Sequence, residues 1–329
     1  MAKRQKLTLQ QKRRLAERQQ KKLETDDIDE SGLSEAKQGL VISRFGEQVD
    51  VVDENKNIFR VYLRQNLGSC VSGDQVMFRT NDNDSGVVEA IEPRFSELTR
   101  PTPHSGIKTI VANIDKIFVV VAPFPDYSSL ILDRYLVACE LARIESEIIF
   151  NKTDLMTDEQ LIFFEDQMKI YQSIGYVVHK VSCKTSNQIE SLKQRLLQHK
   201  SIFVGQSGVG KSSLINSLLP EAEILTGAVS ENSRLGTHTT TASRLYFLPD
   251  KGYIIDSPGV REFGLSHLEP EQLIDGFIDL KQQLNQCKFR NCRHLGEKGC
   301  SLNAALETQE INAQRLSNYQ KIYQSIISK

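Results

Sequence analysis

Hydrophobic and polar residues alternate with a period of two from Gln38 to about Pro93. The alternating runs are GLVISR, QVDVVD, IFRVYL, QVMFR and GVVEAI, and the stretches between them are rich in Gly, Asn, Asp and Ser. This alternation places every second side chain on one face of a strand, and short strands with regular turns are typical of a small barrel. We therefore predict a barrel over residues 37–97, either the five-stranded OB-fold or an SH3-like barrel.

A different pattern begins near residue 116, where continuous apolar runs alternate with segments of helical spacing. KIFVVVA, EIIF, YVVHKV, SIFV, SRLYFL and GYIID are predicted strands, and LILDRYLVACELARI and DEQLIFFEDQMKIYQSI are predicted helices. Continuous apolar strands are buried on both faces, as in parallel sheets covered by helices. We predict a doubly wound α/β domain over residues 98–267, joined to the barrel by a linker marked by Pro93, Pro101 and Pro103.

The pattern becomes helical from Glu269, then rich in Cys and His, and helical again from about Asn303. We predict a helical metal-binding module with a C-terminal helix over residues 268–329. At the other end, residues 1–36 contain few apolar residues, and nine Lys or Arg stand against two Glu between Lys3 and Glu24. This composition predicts a solvated, disordered tail or a basic arm that becomes ordered on RNA, and the two are compatible.

Overall composition narrows the class of protein. The net charge of −1 gives no global attraction to polyanions, and 39% apolar with 25% charged residues is ordinary for a globular protein. No apolar run approaches the roughly 20 residues that span a bilayer, and no signal peptide is recognised. The six cysteines do not form the pattern of a secreted disulfide framework. We therefore expect a cytoplasmic protein with no membrane partner, and a monomer.

A phosphate-binding loop is predicted by GQSGVGKS, which lies between the predicted strand SIFV and the predicted helix SSLINSLL. The segment fits GxxxxGK[ST] in the strand–loop–helix context that distinguishes a phosphate loop from a chance glycine-rich turn. Its glycines let backbone N–H groups face phosphate oxygens, Lys211 reaches the β- and γ-phosphates, and the Ser212 hydroxyl can bind Mg²⁺. The predicted nucleotide-binding residues here are Gly205, Gln206, Ser207, Gly208, Val209, Gly210, Lys211, Ser212 and Ser213.

The base of the nucleotide is predicted from NKTD, which follows the apolar run SEIIF. Asn151 can bond the imidazole edge of a purine, the stem of Lys152 can lie along the base, and the Asp154 carboxylate only accepts hydrogen bonds. Guanine offers N1–H and an exocyclic amine side by side, whereas adenine has an acceptor at N1, so Asp154 favours guanine. NKxD alone is a weak match, typical of a polar turn, but a phosphate loop in the same domain makes it strong. The predicted base-binding residues are Asn151, Lys152, Thr153 and Asp154, together with Ser182, Cys183 and Lys184 of the weaker SCK segment.

Two further segments are predicted to contact Mg²⁺ and the γ-phosphate. DSPG follows the strand GYIID, which places Asp256 to hold Mg²⁺ through water and the Gly259 N–H to contact the γ-phosphate. A threonine of RLGTHTTT can bind Mg²⁺ while the γ-phosphate orders the loop; we favour Thr240, with Thr239 as the alternative.

Hydrolysis needs a group that positions the attacking water. Small GTPases often have a Gln directly after DxxG, but this chain has Val260, so slow intrinsic turnover is expected. His238 is the best candidate within the chain, with Lys211 and Thr240 as the other predicted catalytic residues. The alternative for His238 is a polar switch-loop residue with no chemical role.

The order of these motifs is unusual. The base loop comes first, followed by SCK, the phosphate loop, HTTT and DSPG, whereas the common order starts with the phosphate loop. A sheet tolerates circular permutation, because strands pair in space and domain termini often lie close together. From about Gln38 to the C-terminus the chain resembles the circularly permuted GTPases, specifically the ribosome small subunit-dependent GTPase A family.

This resemblance implies that GTP is hydrolysed to GDP and phosphate, that the small ribosomal subunit stimulates turnover, and that the protein acts late in maturation of that subunit. It also implies contacts to small-subunit rRNA. Because the chain runs from DSPG directly toward the Cys/His segment, we hypothesise that the C-terminal module acts on the switch. The alternatives are a GTP-dependent rRNA-binding scaffold with negligible hydrolysis, and an ATP-dependent enzyme such as a kinase, which Asp154 argues against.

A zinc site is predicted by CKFRNCRHLGEKGC. Three thiolates and one imidazole match a closed structural Zn²⁺ site, while free cysteines or a redox pair are the alternatives. The predicted ligands are Cys287, Cys292, His294 and Cys300. The remaining cysteines, Cys70, Cys139 and Cys183, are predicted to be ordinary buried residues. Lys288, Arg290, Arg293 and His294 are predicted to form an rRNA-facing surface or a solvated face.

Overall fold

The computed structural model describes residues 33–64, 67–81, 85–102, 106–184, 186–219, 224–225, 244–248, 252–256, 265, 268–284 and 287–328. Predictions for the basic tail before residue 33, and for His238, Thr239, Thr240, Gly259 and Val260, lie outside these residues. No helix among the described residues is long and apolar enough to cross a membrane.

The first five strands form a closed barrel, as the alternating pattern predicts. They are β1 (Lys37–Phe45), β2 (Gln48–Val52), β3 (Ile58–Leu63), β4 (Gln75–Thr80) and β5 (Ser85–Ile91). The order around the barrel is β1-β2-β3-β5-β4, with β4 closing onto β1. Only β3 and β5 run parallel among these pairs. Inward-facing Val41, Val51, Val61 and Phe78 fill the interior, which confirms the predicted OB-like barrel.

The region predicted as a linker contains an antiparallel hairpin. Its strands are β6 (Glu97–Thr102) and β7 (Gly106–Ala112). Pro101 lies within β6, which a two-stranded hairpin tolerates because each strand leaves one edge without a ladder partner. Prolines alone therefore did not identify this segment as a strand.

The second domain is built on a seven-stranded sheet. Its strands are β8 (Lys116–Val121), β9 (Glu145–Phe150), β10 (Val177–Lys180), β11 (Lys200–Val204), β12 (Ile224–Leu225), β13 (Arg244–Phe247) and β14 (Tyr253–Asp256), in the order β10-β9-β8-β11-β14-β13-β12. The first five in this order are parallel, and β13 is antiparallel to both neighbours. The carboxyl ends of β9, β8, β11 and β14 therefore lie along one edge of the sheet.

Helices cover both faces of this sheet, as predicted. They are α1 (Ser129–Ala142), α2 (Asp158–Ile174), α3 (Ser186–Leu196) and α4 (Lys211–Leu218). On one face, Leu136 of α1 and Phe164 of α2 share a core with Ile117 and Val119 of β8. On the other, α3 and α4 pack on Phe118 and Val120 of the same strand. The unbroken apolar run of β8 is thus explained by two cores, one on each face.

The C-terminal module differs from its prediction in one respect. After a 3₁₀ helix (Pro270–Gly276) come α5 (Ile278–Lys281), α6 (Ser301–Glu307) and α7 (Ala313–Ile327). The single helix predicted from about Asn303 is therefore two helices. Gln309 has a positive φ of 61° after α6, and the Asn312 side chain caps α7 by accepting from the Gln314 N–H, so the chain changes direction between them.

Candidate nucleotide-binding site

The glycine loop connects β11 to α4, as the sequence predicts. Gly205, Gly208 and Gly210 have φ values of 144°, 84° and 93°, a region that other residues rarely adopt. A β-carbon on Gly205 would lie 2.2 Å from the Val120 carbonyl oxygen, so a larger residue would displace β8. Backbone conformation therefore favours glycine at all three positions, and Gly205 is required by space as well.

The base-reading loop and the glycine loop are joined by direct hydrogen bonds. Asn151, at the end of β9, is 1% exposed and donates from Nδ2 to the Val209 carbonyl at 2.9 Å. Lys152 Nζ donates to the Gly208 carbonyl at 2.5 Å and to the Phe124 carbonyl at 3.0 Å. Two segments separated by 58 residues of sequence therefore meet at one edge of the sheet.

The Asn151 amide has capacity left for another group. Its Oδ1 atom is buried and has no hydrogen-bond partner among the described residues. Buried polar atoms are nearly always bonded, so an acceptor in this position fits a ligand that donates a hydrogen bond. The imidazole edge of a purine offers an acceptor at N7, which only the second Nδ2 proton of Asn151 can bond.

Asp154 lies next to the SCK segment. Its carboxylate accepts from Ser182 Oγ at 2.8 Å and lies 2.7 Å from Lys184 Nζ. The Lys184 ammonium and the Ser182 hydroxyl lower the pKa of Asp154 below its ordinary value, so the group is a carboxylate at neutral pH. The structure thus brings NKTD and SCK, both predicted to bind the base, together around one carboxylate.

Cys183 of this segment is exposed, whereas Cys70 and Cys139 are buried. The prediction that all three are buried is wrong for Cys183. It lies in the turn after residue 181, where the chain leaves the sheet for solvent before α3 begins.

Lys211 follows the glycine loop, and Asp256 ends the strand that neighbours β11. Lys211 begins α4, and its Nζ donates to the carbonyls of Gly205 and Gln206 at 2.7 and 2.8 Å. Asp256 ends β14, which pairs in parallel with β11. The exposed Ser212 lies in the first turn of α4. The Lys211 ammonium therefore contacts the loop that the sequence assigns to phosphate, Ser212 follows that loop in α4, and Asp256 ends the strand next to β11.

Comparisons with known proteins identify the family. The model of the family described as RsgA GTPase matches residues 91–266, more than half of the chain. The chain belongs to the RsgA GTPase family. It is therefore an enzyme of the GTP hydrolase class that acts on a guanine nucleotide.

Relatives extend this match beyond the nucleotide domain. The "Small ribosomal subunit biogenesis GTPase RsgA" of Pectobacterium carotovorum subsp. carotovorum (strain PC1) is 48% identical over 98% of this chain and 95% of its own length. The protein of that name from Haemophilus influenzae (strain PittGG) is 47% identical over 99% of this chain and 96% of its own.

Solved structures agree with the fold. YjeQ from Thermotoga maritima has a TM-score of 0.72 and 32% identity, covering 89% of this chain and 99% of that one. YloQ, a circularly permuted GTPase, has a TM-score of 0.69 and 27% identity, covering 89% and 96%. The reversed order of motifs in this RsgA-family chain is therefore the circular permutation that the sequence predicts.

The four predicted zinc ligands come together although their segment has little regular structure. Their ligand atoms lie within 4.8 Å of one another. His294 Nδ1 is 3.4 Å from Cys300 Sγ and 3.7 Å from Cys287 Sγ. Tetrahedral zinc with bonds of about 2.3 Å to sulfur and about 2.0 Å to nitrogen would set such ligand atoms roughly 3.5–3.8 Å apart. Burial lowers the pKa of His294, so the imidazole is neutral, as a metal ligand must be.

Sequence reasoning missed the loop at residues 123–126. Its Phe124 carbonyl accepts from Lys152, and Pro125 Cδ would lie 3.4 Å from a β-carbon on Gly208. The loop follows β8, whose carboxyl end adjoins those of β9 and β11. The signal available in the sequence was its position after a buried parallel strand, because such ends form ligand sites in α/β sheets.

Proposed function

We propose that the protein binds the small ribosomal subunit and hydrolyses GTP to GDP and phosphate during late maturation of that subunit, with turnover stimulated by the subunit. The relatives named for this role share nearly half their residues with the chain over almost its whole length. The observation that carries the enzymatic part is the pair of bonds from Asn151 and Lys152 to the glycine loop. They bring the base-reading and phosphate-binding residues within reach of one nucleotide.

In this proposal the backbone N–H groups of residues 205–213 enclose the phosphates. Lys211 neutralises the β- and γ-phosphates, and the Gly259 N–H contacts the γ-phosphate. Ser212 and Thr240 would hold Mg²⁺ directly and Asp256 through water; when bound, the ion neutralises charge that develops on the phosphates. Positioning and electrostatic stabilisation then account for the catalytic effect of these residues.

We propose that Asp154 selects guanine, with Ser182 and Lys184 holding its carboxylate in place. An amide in place of the carboxylate would face one of the two guanine N–H donors with a donor of its own, which is unfavourable. The same amide donor suits xanthine, which has a carbonyl in place of the exocyclic amine. We therefore expect Asp154→Asn to lower GDP affinity at least about 100-fold, about 3 kcal/mol, and to raise affinity for xanthosine diphosphate. Competition binding with both nucleotides measures this. Strict guanine selectivity in the variant would contradict the assignment.

We propose that His238 orients the attacking water, because Val260 has no polar group to do so. Replacing His238 with Ala is expected to reduce stimulated turnover by about 100-fold, as for loss of a general base, with GDP affinity unchanged. Turnover equal to that of the unaltered protein would leave His238 as a polar loop residue.

We propose one structural Zn²⁺ held by Cys287, Cys292, His294 and Cys300. Four protein ligands leave no position for a catalytic water. Cysteine ligands also suit a reducing cytoplasm, where we place the protein. Metal analysis should give one zinc per chain, and Cys292→Ser should abolish it, whereas Cys139→Ser should not.

Basic residues of the module suit an rRNA partner. Lys288, Arg290, Arg293 and Lys298 are exposed, and Lys288 lies over the exposed ring of Phe289. His294, included in this surface from the sequence, is half-buried and points toward the thiols. Cations neutralise phosphates, and an exposed ring offers a stacking surface for a base. We propose that the protein acts there as a monomer.

Purified small subunits test the proposal as a whole. We expect multiple-turnover phosphate release from GTP to rise at least tenfold when subunits are added, with no release from ATP. Co-sedimentation with subunits should be stronger with a non-hydrolysable GTP analogue than with GDP. Binding without stimulated release would favour the scaffold function, and release from ATP would favour the kinase-like alternative.

A further inference from the structure

A buried charge cluster joins the nucleotide domain to the C-terminal module. Arg315 of α7 is 1% exposed, and its guanidinium lies 2.5 Å from Asp133 Oδ1 of α1 and 2.6 Å from Asp279 Oδ1 of α5. Asp133 is itself fully buried. Removing one member of such a cluster leaves a buried charge without compensation, so the cluster tolerates little change in the relative position of these helices.

Asp133 of α1 accepts hydrogen bonds from two other helices, α2 and α7. Besides Arg315, its carboxylate accepts from Tyr171 Oη of α2 at 3.0 Å and from Asn318 Nδ2 of α7 at 2.7 Å. Asn318 Nδ2 also lies 3.2 Å from Ser129 Oγ, at the start of α1. Both carboxylate oxygens are thus bonded, which fixes α1, α2 and α7 around one side chain.

Two helices of the nucleotide domain meet at Asp133, and each is preceded in the chain by a segment of the candidate nucleotide site. The segment before α1 carries Phe124 and Pro125, which contact Lys152 and approach Gly208. The 3₁₀ helix before α2 carries Asp154. A shift of Asp133 that moves α1 and α2 would therefore also move the groups that contact the base and the glycine loop.

The module's helix that meets at Asp133 leads to the Cys/His segment. Tyr319 Oη of α7 donates to the Arg293 carbonyl at 3.1 Å, and Gln320 Nε2 donates to the His294 carbonyl at 3.2 Å. These residues follow Arg315 by little more than one helical turn. A partner that shifts the metal-binding segment would therefore shift α7 and the Arg315 side chain with it.

We propose that Asp133 and Arg315 are positioning residues for GTP hydrolysis, which transmit the binding of a partner on the C-terminal module to the loop at residues 123–126 and to Lys152. This rests on the proposed function, in which the small subunit engages the module. The route runs through α1 and is separate from the hypothesis, drawn from the sequence, that the module acts on the switch through the chain that follows DSPG.

Asp133→Asn tests the route, because it removes the charge that holds Arg315 and keeps the shape of the side chain. Glu147→Gln is the matched control, since Glu147 is equally buried in the same domain but bonds only to residues of that domain. For each protein, GDP affinity, turnover alone, and turnover against small-subunit concentration are measured.

We expect Asp133→Asn to keep GDP affinity and unstimulated turnover within about twofold, while kcat at saturating subunit falls at least tenfold. The subunit concentration that gives half-maximal stimulation should stay within threefold, and Glu147→Gln should be stimulated like the unaltered protein. If Asp133→Asn does not bind GDP, Tyr171→Phe takes its place, because it removes one donor to Asp133 without leaving a charge unpaired, and at least a threefold loss is expected.

Full stimulation of the variant that binds GDP, or an equal loss in Glu147→Gln, would overturn the positioning role. Absence of stimulation in the unaltered protein would overturn the proposed function and this inference with it. The two failures are distinguished by whether the unaltered protein responds.

Discussion

Gly210 and Asn151 constrain each other at the centre of the site. Gly210 has a φ of 93°, and a β-carbon there would lie 2.6 Å from Asn151 Nδ2, the atom that bonds the Val209 carbonyl. The sequence motif requires glycine here for its backbone, and the structure adds that a side chain would separate the two nucleotide loops.

We expect Gly210→Ala to weaken GDP binding at least about 100-fold, the equivalent of about 3 kcal/mol, because the methyl group displaces the Asn151 amide. The matched control is Gly175→Ala, whose φ is 113° but where no atom lies within 4 Å of the added carbon. That variant should lose about 1 kcal/mol of stability and no nucleotide affinity. Titration with a fluorescent GDP measures the nucleotide affinity of both variants. Equal affinities would show that the contact with Asn151 does not matter.

At the scale of elements, β9 carries a buried acid, Glu147, next to the apolar residues that end the strand. Glu147 is fully buried, and its carboxylate contacts Lys116 of β8 at 2.8 Å, His179 of β10 at 2.6 Å and Arg195 of α3 at 2.5 Å. Burial by itself would raise the pKa of Glu147, but these three donors outweigh it and lower the pKa to about 2.

Stability should therefore depend on pH through this strand. Because the folded pKa of Glu147 lies below the ordinary 4.5, its contribution is complete above pH 4.5 and is lost as pH falls toward about 2. We expect the unfolding free energy to lose about 2–3 kcal/mol over this interval through Glu147 alone. Urea titrations at a series of pH values measure the slope.

Glu147→Gln isolates this contribution, since the amide does not titrate. The variant should be less stable at pH 7, where three cationic or polar donors lose their charged acceptor, and its stability should fall less steeply below pH 4.5. An identical pH slope in both proteins would assign the effect to other carboxylates.

At the scale of the whole molecule, the barrel and the nucleotide domain meet through Gly73 and Asn113. Gly73 has a φ of 91°, and a β-carbon there would lie 2.0 Å from the Ala112 carbonyl oxygen. Asn113 donates from Nδ2 to the Gly73 carbonyl at 2.9 Å, and its own carbonyl accepts from Tyr253 Oη of β14 at 3.1 Å. The barrel is thus bonded to the strand that ends at Asp256.

We expect Gly73→Ala to cost at least about 2 kcal/mol more than Gly46→Ala, which has a φ of 65° and no atom within 4 Å of the added carbon. The extra carbon cannot be accommodated without separating the barrel from β7. In Gly73→Ala, hydrogen exchange should show β1–β5 opening at lower free energy than β8–β11. In Gly46→Ala, the two groups of strands should open at the same free energy. Equal opening free energies of the two groups of strands in both variants would contradict the role of Gly73 in joining the barrel to the nucleotide domain.

Most of the fold followed from local pattern. Alternation of period two identified the barrel strands, and the unbroken apolar run of β8 correctly indicated two covered faces. The hairpin β6–β7 was missed because proline and polar residues are typical of both linkers and edge strands. The C-terminal helix was predicted as one instead of two because a break of five residues leaves little trace in helical periodicity.

By itself, the sequence determined that this RsgA-family protein is a GTP hydrolase with permuted motifs, and it predicted which residues suit phosphate, guanine and zinc. Those properties depend on residue type and spacing, which a linear chain displays. Only the tertiary structure decided which distant groups meet: Asn151 with Val209, Glu147 with its three donors, and Arg315 with Asp133 and Asp279. Such contacts join residues tens to nearly two hundred positions apart, and their geometry is set by the packing of strands and helices, which no local pattern contains.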